Sequence, residues 1–147
     1  MDQQEIARIL TILDDIEDGI VETDYELFIQ KTFRFIEAEI VPLAKDAKSA
    51  ESLAHLVEYG ERFLSGELSA ADLQSAWDVS PAKRIARSDD LREKAIAIVT
   101  SFCVSADFLT NVTPDDQQDS HVSYLVHWLY GINQNTTLCE KFYSLFV

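Results

Sequence analysis

Glu5 to Pro42 reads EIARILTILDDIEDGIVETDYELFIQKTFRFIEAEIVP. Its apolar residues Ile6, Ile9, Leu10, Leu13 and Ile16 recur at intervals of three and four, the period of an amphipathic helix that ends near Gly19. A second helix is predicted from Thr23, where Thr23 and Glu26 have the spacing of a capping box. It carries Leu27, Phe28, Phe35, Ile36 and Ile40 until Pro42 stops it. Between the two helices lies the most acidic segment of the chain. Asp14 to Glu26 holds seven carboxylates in thirteen residues and no Lys or Arg.

The same spacing continues downstream. A third helix is predicted from near Ser49, through Leu53, Leu56, Val57, Phe63 and Leu64, to a cap at Gly66. Ser69 and Asp72 open a short fourth helix holding Leu73 and Trp77, and Ser80-Pro81 starts one turn around Lys83 to Arg87. Ser88, Asp89 and Asp90 begin a long buried helix reaching about Leu109. A polar loop centred on Pro114 follows, then a helix that Gly131 can end, and a last one with Leu138, Phe142, Leu145 and Phe146. Nothing alternates in the manner of a strand, and four glycines are too few for a turn-rich β protein. The expectation is an all-α, single-domain bundle of six or seven helices spanning residues 1–147, with a solenoid as second choice. A chain of 147 residues that is 47% apolar can bury one substantial core.

Composition limits the function. The net charge is −14, divided as −9 over residues 1–60, −2 over 61–110 and −3 over 111–147. Such a field repels nucleic acid and anionic membrane, and it attracts cationic partners over about 8 Å at physiological salt. Ala95 to Leu109 is too short and too polar to span a bilayer, and the N-terminus lacks a signal-peptide pattern, so a cytoplasmic location is expected. Cys103 and Cys139 sit in helical apolar patterns as buried free thiols, and the N-x-S/T matches at Asn111 and Asn135 carry no role in that compartment.

Three readings compete for the acidic segment: a calcium loop, a solvated helix junction and a docking face. Setting Asp14 at position 1 of an EF-hand loop puts Asp18 at 5, Gly19 at 6 and Glu22 at 9. It also puts Ile16 at 3 and Tyr25 at 12, and the bidentate glutamate that such a site depends on is missing. A solvated junction accounts for acids at the start of the second helix, where the helix dipole favours them. It does not account for Asp14, Asp15, Glu17 and Asp18 at the end of the first, where each costs a few tenths of a kcal/mol. The docking reading assigns partner contacts to Asp14, Asp15, Glu17, Asp18, Glu22, Asp24 and Glu26, with Tyr25 as an anchor.

Catalytic signatures are absent: no Gly-rich phosphate loop, no GxSxG and no HExxH occur. His121 and His127 are six residues apart, roughly 240° around a helix, and cannot share a metal from one helix. His55 shares a face with Glu51, Glu58 and Arg62, read either as an exposed salt-linked row or as a metal or acid–base site. No enzyme activity, cofactor or metal is expected. His121, Tyr124 and Trp128, with Tyr130 nearby, form an aromatic group that is read either as core packing around Trp128 or, where a Tyr or Trp is partly exposed, as a binding hot spot. Lys83, Arg84 and Arg87 form the one cationic cluster, expected to pair with the acidic lobe.

Phe63 to Trp77, FLSGELSAADLQSAW, resembles the helix end, tight turn and next helix of the small colicin D-type immunity proteins, which follow FL-x-G-x-(I/L)-S-A-x-(D/E)-(F/L). The resemblance implies a compact acidic helical protein that neutralises a cognate toxic nuclease. The charge argument agrees. Nucleases are basic because they hold phosphates, and an inhibitor of opposite sign gains association rate and complementarity. The leading expectation is therefore a non-enzymatic immunity protein, of the kind paired with bacteriocins or contact-dependent toxins, that binds a basic toxin domain through the acidic segment. Two other classes are a helical regulator or adaptor that binds a partner's amphipathic helix, and a metal-dependent hydrolase using His55.

Overall fold

A computed structural model of the chain describes residues 1–113 and 119–147. Helix α1 spans Gln3–Asp18 and starts at Asp2, whose carboxylate accepts the Glu5 N–H at 2.8 Å while Glu5 reaches back to the Asp2 N–H at 3.3 Å. That reciprocal box satisfies two of the donors a helix start leaves open. The buried side of α1 is Ile9, Ile12 and Ile16. Ile6 and Leu10, expected in the core, lie on its outer flank and remain 44% and 55% exposed.

The second predicted helix is divided. A single turn, α2 (Ile20–Thr23), precedes α3 (Tyr25–Phe35), and Asp24 rather than Thr23 caps α3, accepting the Leu27 N–H at 3.1 Å. The Thr23 hydroxyl instead donates to the Gly19 carbonyl at 3.0 Å, so the capping box expected from Thr23 and Glu26 does not form. After Phe35 the backbone widens into a π-turn over Ile36–Ile40 and tightens into a 3₁₀ turn over Val41–Leu43. Pro42 accounts for this, since it has no N–H for the Ala38 carbonyl and its ring crowds that oxygen.

Helix α4 (Ala47–Leu64) is capped by Asp46, which accepts the Ser49 N–H at 2.7 Å. It ends as predicted at Gly66. The Gly66 and Glu67 N–H groups return to the carbonyls of Phe63 and Arg62 at 3.0 and 2.8 Å, and the glycine takes φ +83°. Ser69 and Asp72 then close a box that starts α5 (Ala70–Val79). Helix α6 (Pro81–Ile85) is one turn, and α7 (Leu91–Ser101) begins at Asp90.

The long helix expected to reach Leu109 breaks at Ser101, giving a 3₁₀ turn at Phe102–Val104 and the single-turn α8 (Ala106–Leu109). Hydroxyls compete with the backbone there. Thr100 and Ser101 bond back to the Ile96 and Ile98 carbonyls at 2.9 and 2.6 Å, and Ser105 accepts the Phe108 N–H at 3.3 Å as a new cap. Residues 114–118, which include Pro114 of the predicted loop, lie outside the described residues. Helix α9 (His121–Asn133) runs past Gly131 and stops at Gln134 in the left-handed conformation. Gly131 sits inside the helix facing α7, where an added methyl would touch the Ala95 side chain at 3.6 Å. Helix α10 (Thr137–Tyr143) completes the chain.

Among the described residues there is no strand, and seven helices have seven residues or more. The fold is the expected all-α bundle, closed around one continuous hydrophobic cluster instead of stacked in repeating pairs. Helix α7 packs along α9, α1 lies against α9 and α10, and α4 covers the 3₁₀ turn after α7. Phe28, fully buried, is the aromatic hub. Its ring lies 5.4 to 6.2 Å from those of Tyr25, Phe108, Phe142 and Phe146, joining α3, α8, α10 and the C-terminal turn. Truncating such a ring costs about 3–5 kcal/mol. No helix among the described residues is long and apolar enough to cross a membrane.

Candidate functional site

The acidic corner is built by the junction of α1, α2 and α3. Gly19 makes the junction possible: a β-carbon there would stand 2.6 Å from the Asp15 carbonyl, so only glycine lets the chain turn this tightly off α1. The turn packs α2 against the end of α1, which carries four of the acids, and α2 leads into α3; Glu22 lies on α2, Asp24 caps α3 and Glu26 is in its first turn.

The seven carboxylates divide into two groups. Three are structural. Asp15 accepts the Tyr143 hydroxyl, tying α1 to the end of α10, and holds that phenol above its ordinary pKa. Glu17 accepts the Ser120 hydroxyl at 2.5 Å, tying α1 to the first residue before α9. Asp24 caps α3. The other four, Asp14, Asp18, Glu22 and Glu26, are exposed and have no hydrogen-bond or ion-pair partner among the described residues. The four described ion pairs are Arg8–Glu140, Arg62–Glu67, Lys83–Asp78 and Lys141–Glu39, and none includes an acid of the corner.

Tyr25 is a buttress in this structure. Half-buried, it donates its hydroxyl to the Phe108 carbonyl and packs its ring 5.5 Å from Phe28, and burial raises its pKa. Tyr25, expected as an anchor for a partner, thus has its hydroxyl engaged inside the protein, with its ring partly exposed. Arg8, the last cation before the corner in sequence, is also committed. It holds Glu140 in a two-pronged contact of 2.5 and 2.8 Å and covers the Tyr143 ring at 5.1 Å.

Two apolar residues join the surface. On α1, Ile6, Leu10, Asp14 and Asp18 follow one another at four-residue steps and so lie along one outward strip, apolar toward the start and anionic toward the end. An exposed aliphatic pair continuous with unpaired charge is the composition of an interface, with a desolvated centre and a charged border. The acids alone would also suit a solvated corner.

The remaining predicted features are dispersed. Among the described residues no three His, Cys, Asp or Glu side chains are grouped to hold a metal ion. His55 stands exposed on α4, where Arg62 turns away from it to Glu67 at 3.1 Å and lies 5.9 Å from the Tyr59 ring. His121 bonds the Val112 carbonyl at 2.7 Å and meets the Phe108 ring edge-on, while His127 meets Trp128. Trp128, with Lys94 over its ring at 5.9 Å, and Tyr124, 40% exposed, border a shallow cavity of about 310 Å³ that also receives Asp107. The cationic cluster does not pair with the acidic corner as expected. Lys83 holds Asp78 at 2.8 Å, and Arg84 and Arg87 have no ion-pair partner among the described residues.

No family model, curated protein or solved structure matches the chain. The segment Phe63 to Trp77 forms the helix end, tight turn and capped helix that its pattern implies, a corner any helical protein can use.

Proposed function

We propose that this protein is a non-enzymatic immunity protein, which captures a basic protein toxin of the nuclease class through the α1 strip and the acidic corner. One observation carries the reading: Ile6 and Leu10 stand exposed in line with Asp14 and Asp18, whose charges nothing in the described protein neutralises. Like charges four residues apart on a helix destabilise it by a few tenths of a kcal/mol. A cationic surface seated on the strip removes that repulsion and covers the aliphatic pair. A nuclease domain offers such a surface because it holds phosphates, and an anionic partner is drawn to it at rates of about 10⁸ M⁻¹s⁻¹ or more at low salt.

The test uses the protein encoded immediately upstream, whose C-terminal domain is expected to be rich in Lys and Arg. Affinity for that domain is measured by calorimetry across a salt titration, for the natural chain and for one carrying Asp14→Lys, Asp18→Lys, Glu22→Lys and Glu26→Lys. The four substitutions break no hydrogen bond or ion pair among the described residues, and circular dichroism checks that the variant keeps its helicity despite Lys in the first turns of α2 and α3. Expected are a steep salt dependence, a loss of at least about 100-fold in the variant, equivalent to about 2.8 kcal/mol, and loss of growth protection in cells expressing the domain. Unchanged affinity, or binding indifferent to salt, rejects this surface.

A further inference from the structure

The cations of the chain are few, and four of them converge. Lys48, in the first turn of α4, faces Lys83, Arg84 and Arg87 of α6 and its following turn across a cleft of about 570 Å³, with Val79 and Pro81 on its apolar side. Asp78 is the one acid in the lining, and Lys83 already holds it at 2.8 Å with Gln74 adding a second bond at 3.1 Å. Lys48, Arg84 and Arg87 have no ion-pair partner among the described residues. In a chain with 26 acids to 12 Lys and Arg, three cations without an ion-pair partner around one depression, of which Lys48 alone also feels the nearby Asp46, are a local reversal of sign.

We propose that this cleft binds a small phosphate-type oxyanion. Two guanidinium groups supply forked donors that match tetrahedral oxyanions, an ammonium supplies a third charge, and the concave wall concentrates the field. Val79 stands 83% exposed at the rim, in the place where an organic group attached to the anion would rest. Polymeric nucleic acid does not fit, because its charge would run on into a surface of net charge −14. The main neighbours of α6 are α4, α5 and α7, whereas α1 lies against α2, α9 and α10, so the cleft is separate from the acidic corner.

Inorganic phosphate, pyrophosphate and phenyl phosphate are titrated into the full chain at low salt, with binding read by calorimetry and amide chemical shifts. Expected is saturable binding with shifts at Ser80 to Arg87, weakened at least about tenfold by Arg84→Ala with Arg87→Ala. Removing two cations elsewhere, Arg34→Ala with Lys141→Ala, should leave it within about twofold, which separates a site from a response to net charge. Phenyl phosphate binding more tightly than inorganic phosphate, with that gain lost in Val79→Asp, assigns the site to an organophosphate; equal affinities assign it to the free anion. No saturation by about 10 mM, equal weakening by both double variants, or concentration-dependent self-association that either charge set abolishes would overturn the proposal.

Discussion

The carbonyl oxygen of Cys103 occupies the space where a β-carbon on Gly60 would have to stand, 2.1 Å away, with the Phe33 ring at 2.8 Å on the same side. Helix α4 therefore reaches the turn after α7 backbone to backbone. Gly60→Ala forces these elements apart and should destabilise the fold by about 3 kcal/mol or more, lowering the thermal midpoint by about 6–12 °C. Scanning calorimetry of the variant checks this, and an unchanged midpoint would show that the contact relaxes without loss.

Ile6 and Leu10 should separate stability from binding. Ile6→Ala with Leu10→Ala is expected to change unfolding free energy by no more than about 0.5 kcal/mol per site, because both side chains already meet water. Ile16→Ala, within the corner segment but fully buried, should cost about 2–5 kcal/mol. Urea titrations give these values. The double variant should nevertheless lose partner affinity, and a variant that binds normally would remove the aliphatic pair from the interface.

Removing the Tyr25 hydroxyl tests the buttress assignment. Tyr25→Phe removes the side-chain donor to the Phe108 carbonyl, which keeps the Asn111 N–H at 3.3 Å, and should cost about 1 kcal/mol of stability, with partner affinity unchanged. Affinity loss with stability retained would place Tyr25 in the contact surface.

The two thiols should be inert in the native protein. Cys103 is fully buried, and burial together with the nearby Glu61 and Glu37 charges drives its pKa far up, while burial pushes Cys139 up to about 12. Thiolate is the reactive form, so neither should be alkylated by iodoacetamide near pH 7.5 until the chain unfolds, when both react. Mass spectrometry of the labelled protein reads the outcome; fast native labelling of either cysteine would contradict this packing.

Acid should weaken the fold through named carboxylates. Hydrogen bonding to Arg8 holds Glu140 below its ordinary value of 4.5, and contacts with Ser69 and Ser49 lower Asp72 and Asp46. A carboxylate depressed in the folded state adds stability that is complete above its unfolded pKa and disappears as pH falls through the folded one. Glu140→Gln should therefore lose less stability between about pH 5 and 3 than the natural chain, in urea titrations at each pH. Parallel curves would show that the Arg8 contact contributes nothing measurable.

Local signals carried most of the fold. The Ser69 to Asp72 box, the stop at Gly66 and the period of α4 each depend on residues within one turn of one another, and each forms as read. What failed depends on distant neighbours or on choices among near-equal local partners. Gly131 has the chemistry of a helix stop, yet it serves the crossing with α7, which no stretch of ten residues reveals. The break at Ser101 is a competition among three hydroxyls and the backbone, and Asp24 prevails over Thr23 by one position. The candidate site was half legible. Its charge is written in the composition, but which acids are committed depends on Tyr143 and Ser120, more than one hundred residues away. Ile6 and Leu10 carried a usable clue: with Ile12, the apolar positions of α1 cover roughly 160° of the helix, wider than one buried stripe needs, so its edge had to face outward.

The division of labour among the seven acids has an evolutionary meaning. Asp15, Glu17 and Asp24 are bound to the architecture, and changing them disturbs it. Asp14, Asp18, Glu22 and Glu26 make no hydrogen bond or ion pair among the described residues, so these positions can change while the scaffold stays intact. Sequences of close kin should therefore drift fastest at those four positions and hold still at the other three.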